Sequence, residues 1–358
     1  MIWNPFKVAS RGFLGVDIGT FSIKIVEMSR AGKRKKLENY GEIQAEALYQ
    51  KPFRTFEKST LTLSTKDIVK AITAVLREAD MRSTKAIFSI PDFSTFFTTI
   101  TLPGMTEQEL PQAVTYEARQ HIPLPMSDVT LDWQVIEKNG DDPRKPDSLK
   151  ILLVAVPNDV ISQYQEIAQG AGLQLLSLEA EVFSLARALV GEEEKEGTVS
   201  LVDLGARSTT INIIDRGILK LSHSFDTSGS DFTMLISKGL NMDYMAAEEL
   251  KKNYGLLPSE TKTREMLQPF VDLIVNEIKK IASSFYQTDR KEVQKIVLAG
   301  ASALMPGLKE YFVDNLKKPV EIGNPFVNIF YPPILEETIR IAAPTLTIAV
   351  GASLGGIE

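Results

Sequence analysis

The chain has 358 residues, more than a single small core serves, so two or more domains are expected. A hydrophobic content of 44% and a charged content of 24% are typical of a soluble globular protein, and the net charge of −6 excludes a broadly basic nucleic-acid-binding surface. The absence of cysteine excludes disulfides and thiolate metal sites, and the presence of only two histidines excludes a histidine-rich metal centre.

The first half of the chain alternates predicted strands and helices. Apolar periodicity predicts strands at 13–17, 23–27 and 37–45 and a helix at 65–78. The order β-β-α-β-β-α follows, with strands at 85–91, 95–102, 129–137 and 150–156 and helices at 107–121 and 159–170. We expect residues 85–172 to form a small α/β unit of their own. The basic turn at 31–36 is either a solvated hairpin tip or a contact with anionic lipid.

A second block of strands and helices begins at residue 198. It has predicted helices at 231–240, 244–254, 269–287 and 308–316 and a strand at 295–299. The apolar segment 341–355 is shorter than the roughly 20 residues of a membrane span and is interrupted by Pro344 and Thr347. We therefore expect it to be a buried helix.

The sequence contains an internal repeat. Residues 15–26 and 201–212 align with valine, aspartate, glycine, serine and isoleucine in register. Each copy is an apolar strand, an aspartate, a glycine turn and a second strand. A glycine turn lets backbone N–H groups approach an anion closely. A single copy is more typical of a structural hairpin turn, whereas two matched copies favour a nucleotide site.

The residue types in the two copies suit a magnesium-bound polyphosphate. Asp17 and Asp203 would hold Mg²⁺ or its waters, since carboxylates repel phosphate and Mg²⁺ keeps several waters beside phosphates. Lys24 would add positive charge. The turn residues Gly19 and Gly205 would bring in backbone donors, and the predicted hydroxyl donors are Thr20, Ser22, Ser208 and Thr209. The chain has no Walker A motif and no G-x-G-x-x-G after a strand, so P-loop and Rossmann classes are not supported.

A third segment, residues 296–308, is a strand that ends in a small-residue turn and opens a helix. The small side chains of Gly300, Ala301 and Ser302 would let a flat base lie against the backbone. An ordinary strand-to-helix turn has the same pattern, and this alternative stays open from the sequence alone.

These three segments, in this order, resemble the phosphate-1, phosphate-2 and adenosine motifs of the superfamily of actin, sugar kinases and heat-shock chaperones. The resemblance places Ala206 in the phosphate-2 turn and Glu181 at the catalytic position of the first connecting helix. It implies that Glu248 and Lys251, one helical turn apart, touch the ribose and base. Residues 344–355 resemble the second connecting helix.

Within the superfamily, residues 85–172 resemble the inserted 1C subdomain of the FtsA and PilM families, and too short a segment remains for a 1B subdomain. The segments at 116–132 and 228–233 resemble the PilM family specifically, and the chain ends without the amphipathic helix that usually closes FtsA. The resemblance implies an α/β, actin-like (ribonuclease H-like) two-lobed ATPase fold. The resemblance implies subdomain 1A at 1–84 and 173–196, subdomain 1C at 85–172, subdomain 2A at 197–227 and 295–340, and subdomain 2B at 228–294. A C-terminal connecting helix is expected at 341–358.

The resemblance to the PilM family also implies a function. It implies a cytoplasmic ATP- and Mg²⁺-binding component of the type IV pilus platform at the inner face of the inner membrane. The implied partners are the N-terminal cytoplasmic tail of PilN and other platform proteins, with the membrane reached only through partners and no nucleic acid bound. Tyr116 and Arg119 either face the PilN groove or pack on their own sheet.

Several activities remain open from the sequence. A nucleotide-dependent scaffold is favoured. Slow ATP hydrolysis is the alternative in which Glu181 orients water while Asp17 and Asp203 fix the metal waters. Self-association into an FtsA- or MreB-like filament of cell division or cell shape is another. A small-molecule kinase would need a catalytic base in a polar substrate pocket, and the sequence shows no such constellation.

Overall fold

The computed structural model describes residues 12–45, 52–57, 60–139, 147–191 and 196–357. Within these ranges the strands are β1 (Gly12–Ile18), β2 (Ser22–Ala31), β3 (Arg34–Gln44), β4 (Arg54–Glu57), β5 (Thr60–Leu63), β6 (Lys85–Ile90), β7 (Phe96–Pro103), β8 (Val129–Asn139), β9 (Ser148–Pro157), β10 (Gln174–Ala180), β11 (Thr198–Leu204), β12 (Thr209–Asp215), β13 (Ile218–Phe225), β14 (Lys295–Ala299), β15 (Val320–Ile322) and β16 (Ile329–Phe330). The α-helices of the same ranges are α1 (Thr65–Glu78), α2 (Leu110–Ala118), α3 (Asn158–Gly170), α4 (Glu181–Leu189), α5 (Gly229–Leu240), α6 (Tyr244–Asn253), α7 (Thr261–Asp289), α8 (Leu308–Leu316) and α9 (Glu336–Ile357).

Two large sheets carry the fold. The first has the strand order β10-β6-β1-β2-β3-β16 and the second the order β13-β12-β11-β14-β15. In each, the central strand β1 or β11 pairs antiparallel with the next strand and parallel with a later one, β6 or β14. The outer pairings match as well, β2–β3 with β12–β13 and β6–β10 with β14–β15. The repeat seen in the sequence is therefore a structural repeat.

Each sheet has its own helices, and we call each sheet with its helices a lobe. In the first lobe α1 and α3 pack on the six-stranded sheet, and in the second lobe α5 to α8 pack on one face of the five-stranded sheet. The central strands β1 and β11 are buried along nearly their whole length, as strands covered by helices on both faces are.

Helices α4 and α9 lie between the two sheets. One face of α9 packs on β1, β2 and β3, while Ile348 joins a second core with α4, β11 and β14. A Cβ on Gly15 of β1 would lie 1.9 Å from the carbonyl oxygen of Ala349, and a Cβ on Gly351 would lie 1.8 Å from that of Ser184. The backbones approach so closely that only glycine fits at both positions.

By length and composition, the stretch Pro333–Ile357 is apolar enough to cross a membrane, but 61% of its most apolar window is buried inside the fold. Its residues fill the space between the two sheets, where a core helix is expected to be apolar all round. The predicted buried helix at 341–355 is thus confirmed and begins earlier, at Glu336.

A third, three-stranded antiparallel sheet has the order β7-β9-β8 and carries α2 on one face. The order of elements within 85–172 is as predicted, but the separate unit is smaller than that range. Strand β6 pairs with β1 in the first sheet, where Phe88 is fully buried, and α3 packs in the core of the first lobe. The prediction of an independent unit therefore differs from the structure at both ends.

The sequence analysis missed several short elements. The hairpin β4–β5 and the strands β10, β15 and β16 were not predicted. Strand β10 ends at Ala180, and the first connecting helix begins at Glu181, the residue that the resemblance placed on it. Helix α2 is shorter than predicted, and α7 is longer because Pro269 lies within it instead of starting it.

Candidate functional site

Two glycine turns, one from each lobe, join the central strand pairs. Between β1 and β2 the N–H of Gly19 donates to the carbonyl of Ser22 at 2.9 Å, and between β11 and β12 the N–H of Gly205 donates to the carbonyl of Ser208 at 3.1 Å. A Cβ on either glycine would lie 2.8 Å from that carbonyl oxygen. The two predicted phosphate turns therefore share one backbone geometry in which a side chain does not fit.

Three carboxylates from both lobes converge beside these turns. Asp17 and Asp203 are each the second-last residue of their strand, β1 and β11, and Glu181 begins α4. Burial, together with the charges of Glu181 and Asp17, raises the pKa of Asp203 to about 7. Since charges act on one another this strongly only at short range, the three acids share one site.

Lys24 lies within the same site. Its Nζ is 3.3 Å from Oδ2 of Asp17. Burial lowers the pKa of Lys24, but the charges of Asp17, Glu42 and Asp203 outweigh burial, and the pKa is raised. The lysine therefore stays charged and offers a cation to an anionic ligand.

Arg54 is a second cation of the site, and the sequence analysis missed it. Its Nη1 donates to Oε1 of Glu181 at 2.9 Å, its Nε lies 3.5 Å from Oγ1 of Thr20, and its guanidinium stands 5.3 Å from the centre of the Phe93 ring. Burial lowers the pKa of Arg54, but the charges of Glu181 and Asp17, Tyr164 and the hydrogen bond to Glu181 together outweigh burial, and the pKa is raised. Arg54 thus ties the first phosphate turn to the predicted catalytic glutamate.

Strand β4 holds Arg54 in place by docking on the first turn. The N–H of Phe53 donates to the carbonyl of Thr20 at 2.8 Å, and the Phe53 side chain is buried in the core of the first lobe. No motif surrounds Arg54 in the sequence. The available signal was an arginine next to a large aromatic residue in a short segment between two predicted elements.

Asp92 is a second residue that the sequence analysis missed. It is buried in the segment between β6 and β7, where its Oδ1 accepts from the N–H of Val182 at 3.0 Å and its Oδ2 accepts from Nδ2 of Asn212 at 3.4 Å. Burial raises the pKa of Asp92 well above its usual range, and the charge of Glu181 adds to this. Asp92 therefore touches the start of α4 and strand β12 of the second lobe.

The predicted base-binding turn adjoins the carboxylates. Gly300 has a φ of +83°, and a Cβ there would lie 2.7 Å from Oδ1 of Asp203. Ala301 is exposed, while Ser302 is buried with its Oγ 2.1 Å from the place of a Cβ on Gly229. Only glycine can occupy position 300, and this turn forms one wall beside Asp203.

Glu248 and Lys251 lie behind that wall. Nζ of Lys251 is 2.7 Å from Oε2 of Glu248 and donates to the carbonyl of Gly229 at 3.0 Å and to Oγ1 of Thr233 at 2.9 Å. Burial lowers the pKa of Lys251. The N–H of Gly229 donates in turn to the carbonyl of Gly205 at 3.0 Å. The pair thus fastens α6 to the start of α5 and to the second phosphate turn, with the lysine's donors used inside the protein.

The predicted hydroxyl donors have different surroundings. Thr20 is buried beside Arg54, whereas Ser22 and Ser208 are partly exposed at the two turns. Ala206, in the second turn, is exposed. The hydroxyl of Thr209 donates to the carbonyl of Thr227 at 2.5 Å and its side chain is fully buried. Because a hydroxyl has one proton to give, the structure corrects the prediction that Thr209 donates to phosphate.

Tyr116 and Arg119 lie apart from these turns, Tyr116 on α2 of the small sheet and Arg119 directly after that helix. Tyr116 is 67% exposed and Arg119 is exposed, while the buried face of α2 consists of Leu110, Val114 and Ala118. The interpretation that they pack on their own sheet is therefore wrong for this pair, because both side chains face outward.

The carboxylates suit a cation that arrives with its own oxygen ligands. Among the described residues, no group of three or more histidine, aspartate or glutamate side chains could hold a metal ion by itself. Burial, and after it the negative charges of Glu181 and Asp17, raise the pKa of Asp203 to about 7, and a divalent cation would relieve this repulsion. Mg²⁺, which keeps several waters and takes the rest of its ligands from phosphates, fits this donor set.

The chain matches a known protein family along almost its whole length. The family model described as type IV pilus assembly protein PilM matches residues 15–356. The chain belongs to the PilM family. This match spans both glycine turns, the small sheet and α9, so the membership covers the candidate site as well as the fold.

Known structures and relatives agree with membership of the PilM family. A PilM–PilN type IV pilus biogenesis complex has a TM-score of 0.80 at 23% identity, covering 96% of this chain and 98% of that chain. MreB5 of Spiroplasma citri bound to AMPPNP has a TM-score of 0.53 at 14% identity, covering 96% of each chain. The cell division protein FtsA of Streptococcus pneumoniae is 27% identical over 179 residues, which are 44% of this chain and 39% of that protein's length. The fold is the actin-like ATPase fold.

Proposed function

We propose that this PilM-family chain is the ATP-binding component of a type IV pilus assembly platform at the cytoplasmic face of the inner membrane, and that it binds the N-terminal cytoplasmic tail of a PilN-like protein. The single observation that carries nucleotide binding is the convergence of two matching glycine turns with Asp17, Asp203 and Glu181. The likeness to a PilM–PilN complex supports the partner.

Each part of the site has a proposed role toward Mg-ATP. The residues that follow Gly19 and Gly205 in the two turns present their backbone N–H groups to the phosphates, with hydroxyls of Thr20, Ser22 and Ser208 beside them, and Lys24 supplies charge. Asp17 and Asp203 orient the waters of Mg²⁺, which neutralises phosphate charge when bound. The turn at 300–302 lies against the base.

The structure favours a scaffold over a fast ATPase. Glu181, the residue proposed to orient a water molecule, is 7% exposed and ion-paired with Arg54. A carboxylate held in this way cannot position water until Arg54 is drawn away from it. Hydrolysis is therefore proposed to be slow, and nucleotide occupancy rather than turnover is proposed to set affinity for PilN.

The segment between β6 and β7 is the proposed route from nucleotide to partner. It leads from the first sheet into the small sheet. Within it Asp92 contacts α4 and β12, and the ring of Phe93 contacts the guanidinium of Arg54. Phe93 and Asp92 also line a cavity of about 640 Å³ that extends from Ser208 to the edge strands β7 and β13. A shift of one lobe against the other would therefore move the small sheet.

Calorimetry tests the nucleotide site. Mg-ATP titrated into Asp17→Ala should bind at least about tenfold more weakly than into the natural protein, because a metal-orienting carboxylate beside the phosphates is lost. Asp314→Ala, which removes an exposed carboxylate on α8, is the matched control and should bind normally. Equal affinity in Asp17→Ala and the control would refute the site.

A second titration, of a PilN tail peptide, tests the scaffold. A peptide that binds equally with and without Mg-ATP would refute the scaffold.

A further inference from the structure

Arg54 stands where three parts of the site meet. It reaches Thr20 of the first phosphate turn, Glu181 at the start of α4 and the ring of Phe93. Only 10% of its side chain and 9% of that of Glu181 are exposed. A buried ion pair brings little net stability because both charges lose their water, so its place beside the phosphate turn is better explained by function.

The charge of Arg54 acts on the whole carboxylate group. Together with Lys24 it lowers the pKa of Asp203, against the effects of burial and the acids. Lys24 pairs with Asp17 at 3.3 Å, and Arg54 pairs with Glu181 at 2.9 Å. Each cation thus pairs with a different acid. Lys24 faces Asp17, the predicted metal-binding aspartate, and Arg54 faces Glu181, the predicted water-orienting glutamate.

A triphosphate would compete with Glu181 for Arg54. A guanidinium has five N–H donors in a planar fork that matches phosphate as well as carboxylate, and its Nε already lies beside Thr20 of a turn proposed to hold phosphate. A terminal phosphate carries more charge than a carboxylate, so it is the stronger acceptor. When Arg54 turns to it, Glu181 loses its partner.

We propose that Arg54 is a phosphate-sensing positioning residue, which holds Glu181 in the nucleotide-free protein and releases it by binding the terminal phosphate of a nucleoside triphosphate. This rests on the proposed nucleotide function and deepens it. A nucleoside diphosphate lacks the terminal phosphate, so it leaves the Arg54–Glu181 pair intact. Arg54 is therefore the residue by which the site distinguishes ATP from ADP, and its contact with Phe93 carries the difference toward the small sheet.

The test measures the dissociation constants of Mg-ATP and Mg-ADP by calorimetry and takes their ratio. Arg54→Met should weaken ATP binding about tenfold, the loss expected for one charge-assisted hydrogen bond, and leave ADP binding unchanged. Arg54→Lys should restore part of the preference for ATP. Glu181→Gln should strengthen ATP binding several-fold without affecting ADP, because the phosphate no longer competes with a charged partner.

Arg54→Met leaves Glu181 buried and unpaired, so the double variant Arg54→Met/Glu181→Gln restores folding and should lack the preference for ATP. The matched control is Arg187→Met, which breaks another largely buried arginine–glutamate pair, with Glu179 at 2.7 Å. It should lower the melting temperature and leave the ratio unchanged. A ratio that stays constant in every Arg54 and Glu181 variant, in a protein that binds ATP, would overturn the role of Arg54 alone. A natural protein that binds neither nucleotide would overturn both this role and the proposed function.

Discussion

Asp92 is a buried side chain that contacts both lobes, and its two hydrogen-bond donors are uncharged groups. It accepts from the N–H of Val182 and the amide of Asn212, whose Oδ1 is buried without a hydrogen-bond partner. Amide orientations are assigned from the hydrogen-bond network, and a protonated Asp92 could donate to Oδ1 of Asn212 if that amide were reversed. The raised pKa of Asp92, caused by burial and by the charge of Glu181, agrees with such a proton.

The sign of the pH dependence follows from this shift. An unfolded aspartate has a pKa of about 3.9, so above it the folded protein binds a proton that the unfolded chain does not. The stabilising effect is complete below the unfolded pKa and is lost as the pH rises through the folded pKa. The free energy of unfolding of the natural protein should therefore fall with rising pH by up to about 1.4 kcal/mol per pH unit more than that of Asp92→Asn.

Urea unfolding at a series of pH values without nucleotide checks this. In Asp92→Asn the new amide can donate to Oδ1 of Asn212 at every pH, so the variant should fold and lack this part of the slope. Asp203 titrates in both proteins, and taking the difference between them removes its contribution. Asp314→Asn serves as control. Parallel stability curves for the natural protein and Asp92→Asn would contradict a protonated Asp92.

At the scale of elements, the crossing of α4 and α9 determines how the two sheets are joined. Gly351 lets the backbone of α9 lie directly on the carbonyl of Ser184 in α4, and Gly15 does the same between α9 and β1. Arg187 of α4 adds a hydrogen bond to the carbonyl of Gly351 at 2.8 Å. These contacts leave no room for adjustment by a side chain, so the crossing behaves as a rigid element.

Gly351→Ala should destabilise the protein by about 3 kcal/mol, since its new methyl group meets backbone that cannot move without shifting a helix. Gly355→Ala on the same helix is the matched control. There the new Cβ would lie 2.9 Å from Nη1 of Arg187, a side-chain end that can shift at the expense of its own hydrogen bonds, so the cost should be smaller than at position 351. Thermal unfolding measures both. A loss for Gly351→Ala no larger than that for Gly355→Ala would show that the helices can separate without cost.

Local sequence patterns predicted much of the fold because many of its elements carry their own signal. The pairs β1–β2 and β11–β12 combine apolar strands with glycine turns, and α1 and α8 have the helical spacing of apolar residues, so their bounds agree with prediction within a few residues. The repeat added long-range information, because two copies of one pattern imply two copies of one site. Asp17 and Asp203 could thus be brought together from the repeat, whereas Glu181 joined them only through the family resemblance.

The remaining features depend on contacts distant in the chain. Strand β4 exists because Phe53 docks on Thr20, and β16 is a strand of two residues paired with β3. Arg54 is 127 positions from Glu181, and Asp92 is 120 from Asn212. Nothing local distinguishes such residues from other arginines or aspartates. Strand β6 reads locally like its neighbour β7, and only its parallel pairing with β1 assigns it to the first lobe.

At the scale of the whole molecule, the site holds charges that oppose folding. Asp17, Asp203 and Glu181 face one another from both lobes, and their repulsion, after burial, raises the pKa of Asp203 to about 7. Such a conflict is expected at a functional site, where stability is lost for binding. A ligand that brings a divalent cation between the lobes would remove the repulsion and stabilise the closed arrangement by mass action.

Asp203→Asn separates the two effects. With one charge removed and the shape kept, the nucleotide-free variant should melt a few degrees above the natural protein at pH 8, since roughly 1 kcal/mol shifts the melting temperature by about 2–4 °C in domains of 150–250 residues. Mg-ATP should raise the melting temperature of the natural protein but leave that of Asp203→Asn nearly unchanged, because an amide is a weaker partner for Mg²⁺ and its waters. Asp314→Asn should behave as the natural protein in both measurements. A variant that melts lower without nucleotide, or that keeps the full response to Mg-ATP, would mean that Asp203 neither opposes folding nor serves the cation.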